Sequence, residues 1–136
     1  MRVLGIDPGK KRIGLATGDT ELKIATGLKL LIFKNNELFL SDLKSVINEE
    51  EIELVIIGFP KNMDGTEGKS AKKSKFLADF INSRLDIEVK LIDERLTTVE
   101  ATRQIHSADG KIGKSKEIID ILAATLILQT YFDGLQ

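Results

Sequence analysis

Cysteine is absent from the chain, and histidine occurs once, as His106. Without cysteine there can be no disulfide, no thiolate nucleophile and no cysteine zinc site. That absence suits a reducing compartment. A single histidine cannot build a histidine metal site, and His106, at an expected helix end beside a loop, reads as a surface or capping residue. No apolar run approaches the roughly 20 residues of a membrane-spanning helix. The acid at position 7 also comes too early for the apolar core of a signal peptide. A soluble cytoplasmic protein with no membrane partner is therefore expected. A strong charge of either sign is missing too: the formal net charge is -1, so there is no global basic signature of a nucleic-acid binder. The lysines are clustered nonetheless. Lys61, Lys69, Lys72, Lys73 and Lys75 crowd one stretch, and Lys111, Lys114 and Lys116 another. Taken alone, such runs are ordinary solvated surface.

What remains describes one α/β domain spanning residues 1–136, with 42% hydrophobic and 30% charged residues and no linker, low-complexity tract or repeat. Residues 2–7 form a short apolar strand, Asp7-Pro8-Gly9-Lys10 a turn, and residues 12–18 a second strand, so the two should pair as a hairpin. A third strand is expected over 24–33 and a helix over 36–50. Residues 53–58, Glu-Leu-Val-Ile-Ile-Gly, read as a strand buried on both faces. A loop follows to 68. The helix expected over 70–84 places Phe76, Leu77, Phe80 and Ile81 on one side. Residues 87–93 form a further strand. Thr97 and Glu100 match a capping box that opens a helix to about 106. After a loop over 107–114, a last helix runs over 115–131. Three strands followed by alternating helix and strand predict a mixed sheet with helices on its faces.

Three acids stand where structure alone does not ask for them. Asp7 ends the first strand, at the edge of a sheet where ligands of open α/β folds bind. Asp-Pro-Gly is equally a plain hairpin turn. Gly5, Gly9 and Gly14 leave room for a phosphate backbone to come close. Glu94 lies at the end of the strand over 87–93, beside Asp93 and Arg95, where a charge could simply mark the exit to solvent. Asp120 is the most informative, because it shares its helical stripe with Ala123, Ala124 and Ile127. A carboxylate there needs a partner, which a metal ion, a lysine or a capping role near the helix start could supply. An acid from a first strand, one from a later strand and one from a last helix can hold two divalent ions about 3.5–4 Å apart. Hard ions, Mg²⁺ or Mn²⁺, suit carboxylates and phosphate oxygens.

These motifs carry a resemblance. Gly5-Ile6-Asp7-Pro8-Gly9 is followed by Arg12-Ile13-Gly14, and Ile57-Gly58-Phe59-Pro60 by Asn62-Met63-Asp64-Gly65-Thr66. Asp93-Glu94-Arg95-Leu96-Thr97-Thr98 and Ile119-Asp120-x-x-Ala123-Ala124 come next, and Ile127-Leu128-Gln129 closes the series. In this order and spacing the chain resembles the YqgF (RuvX) family, small bacterial relatives of the Holliday-junction resolvase RuvC with an RNase H-like fold. Phe59 departs from the family's usual leucine but stays apolar. The resemblance implies a five-stranded mixed sheet, its first three strands antiparallel, with helices on both faces. It implies Asp7, Glu94 and Asp120 as the acidic triad, and a nuclease trimming the 5′ end of precursor 16S ribosomal RNA in the cytoplasm.

The leading expectation is thus a metal-dependent endonuclease acting on structured or precursor RNA, as a monomer or homodimer. Candidate phosphate-holding residues are Lys61, Lys69, Lys72, Lys73, Arg95 and Lys114. Cleavage of branched DNA at four-way junctions is the alternative within enzymes. A non-cleaving nucleic-acid-binding module is the alternative outside them, and it has no use for a carboxylate among Ile119, Ile121 and Ala124. A sugar-kinase-like ATPase would need two such domains. If the lysine clusters bind phosphate, substituting Lys69, Lys72 and Lys73 together will weaken nucleic-acid binding. It will also flatten the dependence of log K on log salt by roughly 2–3 units, about 0.7–0.9 per lost contact. A titration series with an unchanged slope would make this stretch a solvated helix face.

Overall fold

The chain begins with three strands because its early apolar residues come in short runs bounded by turn residues rather than at helix spacing. In the computed structural model, which describes residues 1–9, 11–59, 67–93 and 114–135, these are β1 (Arg2–Asp7), β2 (Arg12–Asp19) and β3 (Ile24–Ile32). Then follow α1 (Asn36–Glu49), β4 (Leu54–Phe59), α2 (Lys69–Leu85), β5 (Glu88–Asp93) and α3 (Lys114–Asp133). The expected strands and these three helices all form, within a residue or two of their sequence bounds. The helix expected over 97–106 and the loop over 107–114 lie outside the described residues, except that Lys114 begins α3. So does most of the loop that starts at Pro60.

Local chemistry explains the boundaries. Asn35 caps α1, its side chain accepting from the Leu38 backbone N–H at 2.9 Å, which satisfies a donor the helix itself cannot. Asp86 ends α2 in the left-handed conformation at φ 50°. Lys23, at φ 56°, turns the chain from β2 into β3.

The five strands form one sheet in the order β3-β2-β1-β4-β5. β1 pairs antiparallel with β2, placing Asp7 opposite Gly14, and parallel with β4, placing Ile6 beside Ile57. β3 is antiparallel to β2, with a register shift between Leu15 and Ala16, and β5 is parallel to β4. The parallel pair β4 and β5 needs a crossover element, which α2 supplies.

Alternation on the central strands sends side chains to two cores. Leu4, Ile6, Ile13, Leu15, Val55 and Ile57 face one side, where Phe39, Leu43 and Val46 of α1 and Ile81 of α2 cover them. Val3, Ala16, Leu54 and Ile56 face the other, under Ala124, Ile127, Leu128 and Phe132 of α3. Helices thus cover both faces, and no helix among the described residues is long and apolar enough to cross a membrane. α2 buries Ala71, Ser74, Ala78 and Ile81, whereas Phe76 is 67% exposed. The helix has turned its smaller residues onto the sheet.

α3 lies unusually low on its face because the strands beneath it lack side chains. A Cβ on Gly5 would stand 2.8 Å from the Leu128 Cβ, and one on Gly14 would run into the backbone carbonyl of Asp120. Backbone cannot rotate aside as a flexible side chain can, so a methyl at Gly14 must displace the helix. Gly14→Ala is therefore expected to lower stability by about 1–3 kcal/mol or more. Gly134→Ala, whose added carbon would sit 3.6 Å from its nearest neighbours, should stay within about 0.5 kcal/mol of wild type. Urea melts of both variants make the comparison, and equal midpoints would remove the close-approach argument.

Candidate functional site

Asp7 is the last residue of β1 and in step with Val3 and Gly5, so its side chain projects to the α3 side of the sheet. It is 3% exposed, and among the described residues the buried polar side chains are Asp7, Thr17 and Ser74. Asp7 alone of these is charged. Burying a carboxylate is costly unless cations or hydrogen-bond donors compensate it. Directly across the ladder stands Gly14, with antiparallel partners of this kind roughly 4.5–5.5 Å apart at Cα. Over Gly14 sits the backbone of Asp120. The ladder and the low helix therefore bring Asp7 and Asp120, more than a hundred residues apart in the chain, to one end of the sheet.

Asp120 lies in the second turn of α3, half-buried, with its side chain 22% exposed. The sequence offered a metal, a lysine or a cap as its partner, and the structure adds Arg12. The Arg12 Nε stands 3.4 Å from Asp120 Oδ2. Arg12 is two residues before Gly14 on β2, hence on the same face, and this register relation was the available signal. With both side chains partly in water, the pair contributes about 1 kcal/mol or less. It neutralises Asp120 without locking it. Thr125, the other polar residue between Ile118 and Leu128, is satisfied locally by donating to the Ile121 carbonyl at 2.8 Å. Asp120 differs in facing a solvent-open cleft of about 550 Å³, lined by Gly9, Lys11, Arg12, Ile32 and Asp120 itself.

Of the other residues singled out in the sequence, Lys69, Lys72 and Lys73 lie exposed on the first turns of α2. Lys73 Nζ donates to the Gly9 carbonyl at 3.4 Å, tying α2 to the turn that follows Asp7. Lys61, Glu94 and Arg95 lie outside the described residues, as does the side chain of Lys114, the first residue of α3. Among the described residues no three acids or histidines form a metal-binding group. The two acids present are a fit for a hard divalent ion: carboxylate oxygens, one buried and one at the mouth of a cleft, with cations at its rim.

Comparison with known proteins places these features. Residues 1–134 match the RuvX family, described as Holliday junction resolvase. A protein of Halothermothrix orenii with the provisional name pre-16S rRNA nuclease is 44% identical over 133 residues, covering 98% of this chain and 95% of the relative. Relatives of the same name from Clostridium botulinum (strain Hall) and Thermoanaerobacter pseudethanolicus are 42% and 44% identical over 135 residues. They cover 99% and 98% of this chain and 98% and 97% of their own lengths. Among solved structures, Thermus thermophilus RuvC in complex with a Holliday junction substrate aligns with a TM-score of 0.56 at 16% identity, over 97% of this chain and 93% of that one. The fowlpox virus resolvase with its junction DNA aligns with 0.60 at 14% identity, over 98% of both chains. At such identities the likeness is one of fold, the RNase H-like fold of these resolvases.

The geometry around Asp120 makes a stability prediction. Without metal, Asp120→Asn weakens a partly exposed ion pair with Arg12 and should melt within about 1 kcal/mol of wild type. Added Mg²⁺ or Mn²⁺ should raise the melting temperature of wild type by mass action and that of the variant much less. Arg12→Gln, which removes a cation competing for Asp120, should increase the metal-induced shift. Equal shifts in all three proteins would show that Asp120 does not hold the ion.

Proposed function

Because the chain belongs to the RuvX family, described as Holliday junction resolvase, we propose that it is a metal-dependent endonuclease hydrolysing phosphodiester bonds in precursor 16S ribosomal RNA. One observation carries the chemistry: a buried Asp7 at the end of the central strand, across from the glycine over which α3 presents Asp120. The substrate rests on the relatives at 42–44% identity that bear the pre-16S rRNA nuclease name. The RNase H-like fold supports the same reading. We read residues 1–136 as one nuclease domain working in the cytoplasm.

Asp7 and Asp120, with Glu94 as the residue that follows β5 in the chain, would hold one or two Mg²⁺ or Mn²⁺ ions. Such ions, when bound, supply a nucleophilic water at neutral pH and charge for the phosphate undergoing displacement. The remaining work belongs to the protein. Asp7, shielded from water, attracts a hard cation more strongly than an exposed carboxylate would, because its field is less screened. Arg12 and Lys11 line the cleft beside Asp120 and offer positive charge to a phosphate entering it. Lys69, Lys72 and Lys73 extend that field along α2, and Lys61, Arg95 and Lys114 are the further candidates for holding the backbone.

Cleavage of four-way DNA junctions is the second reading, favoured by the family's description. It favours a homodimer presenting two sites by a twofold axis. A panel of precursor rRNA, single-stranded RNA, duplex and junction DNA, incubated with Mg²⁺ or Mn²⁺, tests both. The expected result is cleavage on the 5′ side of the precursor. Preferential cutting of junctions by a dimer would replace it with the second reading. Asp7→Asn should keep its circular dichroism and lose more than the roughly 10–100-fold that loss of an outer-shell partner costs a metal site. A variant cutting at wild-type rate would reduce Asp7 to a turn residue.

A further inference from the structure

Phe76 is a large apolar side chain left 67% exposed on a helix that buries alanine and serine instead. Burying a phenylalanine is worth about 1.5–3 kcal/mol, so an exposed one beside an apolar hollow is unspent binding capacity. Such a hollow is present. Phe76 stacks on Phe80 with ring centroids 6.0 Å apart and planes 11° from parallel. Phe33 and Phe39 form a second, tilted pair at 5.7 Å. All four rings, with Ile13 and Leu77, line a cavity of about 110 Å³. A cavity of roughly 150 Å³ holds one benzene molecule, so this one suits a single planar ring with part of its face left at the mouth.

Its rim is polar and cationic. Lys73 and Gly9 border it, and the Lys73 ammonium reaches the Gly9 carbonyl. Asn36, also at the rim, carries an amide donor and acceptor suited to the edge of a heterocycle. The Arg84 guanidinium lies 5.3 Å from the Phe80 ring centroid, adding a cation to the same aromatic group. Gly9 lines this cavity and the acidic cleft containing Asp120 alike, so one turn, the turn following Asp7, is a wall of both. An aromatic slot with the Lys73 ammonium at its mouth, next to carboxylates that fit a divalent ion, is chemistry for a base joined to a phosphate.

We propose that this slot receives one unpaired nucleobase of the substrate strand, stacked on Phe76 and Phe80 beside the phosphate that is cut. The inference rests on the nuclease reading and narrows it to strands with an unstacked base at the cleavage site. An extended peptide is a poorer occupant, because helix-in-groove docking needs a row of anchors and this hollow takes one ring. A second copy docked face to face would set Lys69, Lys72 and Lys73 against their own counterparts, a like-charge arrangement.

The test measures binding apart from cleavage. Full-length Asp7→Asn protein, expected not to cut, is titrated into a short single-stranded RNA carrying one 2-aminopurine, whose fluorescence falls when it stacks. Quenching is expected, with Phe76→Tyr retaining it and Phe76→Ala and Phe76→Leu losing it. Phe76→Ala should bind roughly five- to hundredfold more weakly. Because Phe76 is exposed, its variants should melt as wild type does. Wild-type quenching by Phe76→Leu would make the slot a mere apolar contact and overturn the proposal. An equal effect of Phe76→Ala on a fully paired duplex, or a change of oligomeric state in sedimentation, would overturn it too. Cleavage of the precursor by wild type with kcat/KM unchanged in Phe76→Ala would sink the slot alone, whereas a wild type that neither binds nor cuts nucleic acid would sink the nuclease reading.

Discussion

The distance at which α3 packs on the sheet is the constraint from which the site follows. Helix-to-sheet spacing is set by the side chains between them, and here the strands present Gly5, Gly14 and Ala16 while the helix presents Ala123 and Ala124. Little stands between the two backbones, so α3 settles until its own backbone meets β2 at Gly14. That contact fixes Asp120 over the cross-strand partner of Asp7 and within reach of Arg12. Small residues that look like weak points in a strand are here what allows two acids from opposite ends of the chain to share one sheet edge. Gln129 holds the far half of the helix in the same arrangement. Its side chain accepts from Ala25 N–H and donates to the Lys23 carbonyl, both at 2.9 Å, binding α3 to the β2–β3 turn.

Electrostatics at this edge is unevenly distributed, and the unevenness has a use. Asp7 is removed from water while Asp120 keeps part of its surface in the cleft. In the proposed function, the buried carboxylate on a rigid strand would provide a fixed point of negative charge, and the half-exposed one on the rim would meet an incoming cation. The Arg12–Asp120 pair is weak by the ordinary standard of partly exposed ion pairs.

The opposite face of the sheet carries the apolar counterpart. α2 turns Ala71, Ser74, Ala78 and Ile81 inward, which lets it lie close to β4 and β5 but leaves Phe76 and Phe80 at its margin. The resulting aromatic hollow opens on the same Pro8-Gly9 turn that leads out of Asp7. Sheet edge, turn and hollow are thus contiguous, although their residues come from β1, the start of α1 and α2.

How much of this was legible in the chain depends on the range of the interaction involved. Strands β1, β4 and β5 could be read from runs such as Leu-Val-Ile-Ile, and α1 from its 3.6-residue spacing, because those patterns are imposed by each element's own geometry and burial. Asp120 stood out by itself, since a carboxylate amid Ile119, Ile121 and Ala124 contradicts the apolar stripe around it. The Arg12 partnership could not be read that way. It exists only once register places Arg12 two residues from Gly14 and the helix descends onto that glycine. The exposure of Phe76 could not be read for the same reason. Periodicity tells which residues share a helix face, but only packing against β4 and β5 decides which face goes down. There the smaller side chains won, because they let the helix come closer. The sequence by itself determined the elements, the acids and the family resemblance; the tertiary structure alone decided which charges meet and which aromatic rings remain exposed.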